Sequence, residues 1–99
     1  MYKAELCDKK YKVDLEVGHY PNGRLAIMLR DARDGSPFSN LTVNIPSAYC
    51  PKDCAYLDTN NFRKAEQFVI ENGLAESMEE VAFSGYCRYP LYKFNMNLI

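Results

Sequence analysis

Two cysteines four positions apart raise the first chemical question in this chain: Cys50-Pro51-Lys52-Asp53-Cys54. Three residues separate the thiols, one more than in redox pairs that sit at a helix N-terminus and gain a lowered thiol pKa there. The helix expected downstream starts well after Cys54, so that activation is missing. Structural zinc is one reading, since it needs four tetrahedral ligands of the cysteine or histidine type. Cys50 and Cys54 would supply two, and Cys7, Cys87 or His19 the rest. One close pair with scattered singles departs from the two clustered pairs usual in zinc modules. A disulfide is a second reading. Small thiols packed in a core are a third, a common role for free cysteine.

His19 is the single histidine, so a Cys–His nucleophile would have to use it. It stands beside a predicted turn, and no third group is placed to orient it. Asp31-Ala32-Arg33-Asp34-Gly35 lacks the alternating acidic positions and closing glutamate of a calcium loop. Isolated glycines cradle no phosphate. None of the serines sits in a nucleophile elbow. The expectation is a non-enzyme with no catalytic residue and no cofactor, zinc on Cys50, Cys54, Cys87 and Cys7 being the exception.

Two surfaces carry binding chemistry instead. Gly85–Phe94 (GYCRYPLYKF) interleaves four aromatics with Arg88 and Lys93. Strand alternation puts Tyr86, Arg88 and Tyr92 on one exposed face, with Tyr89 beside them. Tyrosine and arginine together are the material of protein-binding hot spots. A platform for single-stranded nucleic acid is the competing use of the same residues. The second surface is acidic. Residues 58–80 carry two cations, Arg63 and Lys64, against six acids, a net of −4. Glu66, Glu71, Glu76, Glu79 and Glu80 would face a basic partner or simply water.

These residues need a scaffold. Tyr11–Tyr20 alternates Tyr11, Val13, Leu15 and Val17 against Lys12, Asp14 and Glu16, which predicts a half-buried strand. Asn22-Gly23 is a strong hairpin signal. Arg24–Arg30 returns as a second strand, apolar enough to be central and covered on both faces. Phe38–Ile45 alternates again and stops at Pro46. The first six residues add a short edge strand. Asn60 is the expected N-cap of a helix over about 61–72, which Gly73 ends while Leu74 folds back on Val69. A helix that short must dock on the sheet. A polar linker, Ala75–Glu80, leads to extended segments at Val81–Cys87 and Leu91–Met96, with Pro90 marking an edge strand or a bend. The class is α+β: a mostly antiparallel sheet of about four to six strands with one helix on one face.

Ninety-nine residues make a single domain, 1–99, with one core. A hydrophobic fraction of 47% is too high for a disordered chain. No apolar run approaches the roughly 20 residues that span a bilayer. The start, MYKAELCDKK, lacks a secretory h-region, so the expected setting is the cytoplasm, without membrane partners and with reduced thiols. A net charge of −1 argues against direct binding to nucleic acid backbones.

The block AYCPKDCAYLDTNNFRKAEQFVIENGL with SGYCRYPLYKFN resembles a family of small proteins of unknown function. The family is found on phages, plasmids and conjugative elements of gut Firmicutes. The resemblance covers residues 48–95, most specifically Tyr49-Cys50-Pro51, Asp53-Cys54, Asp58–Phe62 and Ser84–Cys87. It brings no activity, cofactor or catalytic residue. It implies an accessory protein of a mobile genetic element that binds a host or defence-system protein, in the manner of CRISPR-blocking inhibitors. The alternative is a small nucleic-acid-associated or zinc-stabilised regulatory protein. A homodimer through exposed sheet edges stays open.

Overall fold

Turn chemistry organises the first half of the chain. The computed structural model describes residues 1–99. β1 (Tyr2–Leu6) and β2 (Lys9–His19) are joined by Cys7 and Asp8, both at positive φ. Two such residues form a tight turn whose twist suits a hairpin. β2 pairs antiparallel with β3 (Leu25–Asp31) across the expected Asn22-Gly23 turn, where Gly23 has φ +85. β4 (Pro37–Asn40) lies on the far side of β3, giving the order β1-β2-β3-β4. β3 is central, as expected, but only alternate residues, Leu25, Ile27, Leu29 and Asp31, are buried. Ala26 and Met28 are half-covered, because no layer packs on the outer face of this sheet.

The chain changes sheets at Leu41. Its N–H donates to the Ile27 carbonyl at 3.0 Å, and its own carbonyl accepts the Asp58 N–H at 2.9 Å. Next in line, Thr42 Oγ1 accepts the Ile27 N–H at 3.0 Å and hydrogen-bonds the Tyr20 hydroxyl at 2.9 Å. The expected strand over Phe38–Ile45 is therefore two short ones, β4 and β5 (Thr42–Val43). β5 pairs with β6 (Cys54–Leu57), which has no counterpart among the expected elements. Four apolar residues between turn formers carry no periodicity, so CAYL gives no strand signal of its own.

β7 (Ala75–Ser84) and β8 (Cys87–Phe94) complete the second sheet, in the order β5-β6-β8-β7. The expected linker Ala75–Glu80 is in fact the first half of β7. Ala75 pairs with Phe94 and Ser77 with Tyr92, so a partner strand imposes extension on a polar segment. Pro90 also departs from expectation, since β8 is central. Pairing with β6 ends at Leu91, and on the other side Pro90 meets Val81 where a bulge between Ser77 and Val81 shifts the register. Bulges are among the few places where a sheet tolerates proline.

The helix α1 (Ala65–Glu71) is shorter than expected. Asp58, rather than Asn60, caps the preceding turns, accepting the Asn61 N–H at 3.3 Å and the Asn61 side-chain amide at 2.8 Å. Those turns drop Phe62 into the core between Phe38 and Phe68. The far end follows the expectation. Gly73, at φ +66, donates to Ile70, and Leu74 donates to Val69, the two bonds of a Schellman motif.

The main core takes Val13, Ile27 and Leu29 from the first sheet, Leu57, Tyr92 and Phe94 from the second, and Phe62, Phe68 and Val69 from the helix region. A smaller core forms on the opposite face of the second sheet, from Cys54, Tyr56, Ala82, Tyr89 and Leu91 beneath Ile45. The class is α+β with antiparallel sheets, as the sequence implies. There are eight strands in two sheets instead of four to six in one. The helix joins a core shared by both sheets instead of covering one face of a single sheet.

Candidate functional site

The β7–β8 hairpin projects two large aromatic side chains, Phe83 and Tyr86, into solvent. Ser84 pairs with Cys87 across a two-residue turn, Gly85-Tyr86, in which Gly85 takes φ +61. Glycine at the first central position is what this tight hairpin turn requires. Tyr86 is fully exposed at the tip, and Phe83 is 70% exposed with Arg88 directly across the ladder. Val81, two residues before Phe83, shares its face, while Ala82 between them is buried. Phe83 escaped the sequence reading, which drew its aromatics only from Tyr86 onward. The signal was present: Val81 and Phe83 alternate with Ala82 and Ser84.

Two expected contact residues are not at this surface. Tyr92 is buried in the main core between β6 and β7, and Tyr89, past the end of the β6 pairing, is buried by the smaller core on the other face of β8. Tyr92 packs in the main core and donates its hydroxyl to Glu66 Oε1 at 2.9 Å. Burial, and then that bond, push its pKa up to about 12. Tyr89 packs in the smaller core. Only Tyr86 and Arg88 of the expected aromatic set face solvent.

The acidic set divides as well. Glu66 and Glu71 lie on α1 and are engaged: Glu66 accepts from Tyr92, and Glu71 accepts the Gln67 amide at 2.9 Å. Glu76, Glu79 and Glu80 lie exposed on β7 and enter none of the four ion pairs. Glu79 has φ +56, and its N–H donates to Ser77 Oγ at 3.0 Å, which fixes the bulge. The exposed carboxylates and the aromatic tip therefore share one strand.

The cysteines are all free thiols. Cys54 lies in the smaller core, with Cys50 and Cys87 packed against it, whereas Cys7 is in the β1–β2 turn of the other sheet. The four expected zinc ligands are not brought together, and no three His, Cys, Asp or Glu side chains converge as a metal site. The Cys50 thiol donates to the Cys54 carbonyl at 3.2 Å, and burial pushes both thiols up. That is the reverse of nucleophile activation. The loop above them is fastened by Arg24, which donates to the carbonyls of Ile45 at 2.7 Å and Ala48 at 2.6 Å. Tyr56 adds a hydrogen bond to the Tyr49 carbonyl. His19 reaches the rim of an open depression of about 470 Å³ that Arg24, Cys50, Lys52 and Asp53 also line. No helix is long and apolar enough to cross a membrane.

The family model described as a domain of unknown function, DUF4313, matches residues 14–98. The chain belongs to the DUF4313 family. The match takes in β3 and the second half of β2, well beyond the C-terminal half that carries the resemblance in sequence. No curated protein and no solved structure matches this DUF4313 chain.

Proposed function

We propose that this DUF4313 chain is a non-enzymatic protein-binding module and that its contact surface is the β7–β8 hairpin. The observation that carries the reading is the pair Phe83 and Tyr86, held out in water on a rigid turn beside Arg88. Large aromatic rings on a short hairpin lose little conformational entropy on docking, and aromatics with arginine dominate binding energy at interfaces. The implied setting is the bacterial cytoplasm, where the chain serves a mobile genetic element and occupies a surface on a host or defence-system protein.

The test is capture from a host-like bacterial lysate with tagged chain, read by mass spectrometry against a Phe83→Ser/Tyr86→Ser variant. One dominant protein retained by the native chain and lost by the variant supports the reading. Equal recovery by both, or none above background, removes the hairpin as the contact surface.

A further inference from the structure

β7 is the unprotected sheet edge of this molecule. The outer side of β1 is covered by the helix region, through a hydrogen bond from the Asn72 side chain to the Lys3 carbonyl, the Lys64–Glu5 ion pair and the Tyr2–Phe68 ring contact. β4 is four residues long and opens with Pro37. β5 is stitched to the first sheet through Thr42. β7 has ten residues, eight of them exposed, and pairs only with β8. Beyond the bulge, Val81–Ser84 is a regular ladder with no further strand outside it. Alternate residues there turn N–H and C=O toward solvent.

Resting on the binding-module reading, we infer that β7 takes up an extended basic segment of the partner as an added antiparallel strand. Val81 and Phe83 share one face and receive apolar residues at alternate positions of the incoming chain. Glu76, Glu79 and Glu80 enter no ion pair within the chain, though Lys93 stands opposite Glu76 on β8, and Glu79 and Glu80 meet the incoming chain's lysines or arginines. The same carboxylates disfavour a second copy in that stretch, since antiparallel self-pairing with Ser77 opposite Val81 sets Glu79 against Glu79.

A capped peptide alternating valine with lysine, titrated into isotope-labelled chain, tests this, with a valine–glutamate peptide as control. The lysine peptide is expected to shift resonances of β7 and slow amide exchange at Val81–Ser84. Glu76→Lys/Glu79→Lys/Glu80→Lys should weaken it about tenfold. N-methylation of the peptide backbone should abolish the complex. No binding, equal binding of the two peptides, shifts away from β7, or a free chain already dimeric with protected β7 amides would each overturn strand addition. A protein captured through Phe83 and Tyr86 while β7 amides still exchange freely would overturn it too, and would leave the binding-module reading standing.

Discussion

The two ends of the β7–β8 hairpin use the same kinds of residue for opposite purposes. At the base, Tyr92 and Phe94 are enclosed by the main core, and Leu91 by the smaller one. At the tip, Phe83 and Tyr86 touch solvent. The difference lies in what flanks each end. β6 pairs with β8 from Cys54 to Tyr56, opposite Lys93 to Leu91, and then stops. Past that point no strand pairs with the outer side of β8: Tyr89 and Ala82 are still covered by the smaller core, while Phe83 and Tyr86 are not. An aromatic residue in a strand is therefore core or contact surface according to the strand or packed layer beside it, and its own chemistry does not decide.

The largest effect that sharpens this contrast is expected at the base. Leu91→Ala removes a fully buried side chain between two strands and should cost about 3–4 kcal/mol in urea unfolding. Thiol reactivity gives the next largest. Cys54 at the base is buried, while Cys87 beside the tip is half-exposed. Cys87 should react with a disulfide reagent about 100-fold faster in the native chain, Cys54 waiting for an opening of the sheet. Similar rates would break the contrast, because they would mean that the base opens as readily as the tip.

Tyr92→Phe deletes the hydroxyl that reaches Glu66 and should cost about 1 kcal/mol at neutral pH. Its pH signature has a definite sign. The folded chain raises the Tyr92 pKa from 10.0 to about 12, favouring the neutral phenol. That contribution is complete below pH 10.0 and is lost as pH rises through about 12. The variant should show a shallower alkaline loss of stability. Tyr20 and Tyr56, pushed up by burial, and Tyr89, pushed up by the Cys87 thiol and burial, keep part of the slope. The smallest effect belongs to the tip. Phe83→Ser and Tyr86→Ser should each move stability by less than about 0.5 kcal/mol while removing partner capture. A Phe83→Ser loss near that of Leu91→Ala would show that the tip is packed in solution and would end its candidacy as a contact surface.

Local signals in the sequence were enough for the first hairpin and for the helix stop. Asn22-Gly23 and the alternation from Tyr11 to Val17 dictate the β2–β3 pair, because turn conformation and face burial are local properties. Gly73 and Leu74 dictate where α1 ends for the same reason. β6, the strand at Ala75–Glu80 and the burial of Tyr89 and Tyr92 were not legible, since each depends on a partner strand distant in the chain. Cys54 meets Lys93, and Ala75 meets Phe94.

For the candidate site, the sequence by itself determined that Tyr86 and Arg88 share an exposed face and that the acids cluster after Asp58, but it set the bend at Arg88-Tyr89-Pro90, where the structure runs straight through β8 and turns instead at Gly85-Tyr86. Tertiary structure decided which of them reach water. It enclosed Tyr92 with Glu66, left Glu76, Glu79 and Glu80 on a bare edge, and added Phe83 to the exposed set. Alternation specifies which side of a strand a residue occupies, whereas burial depends on whether another layer of the molecule arrives on that side.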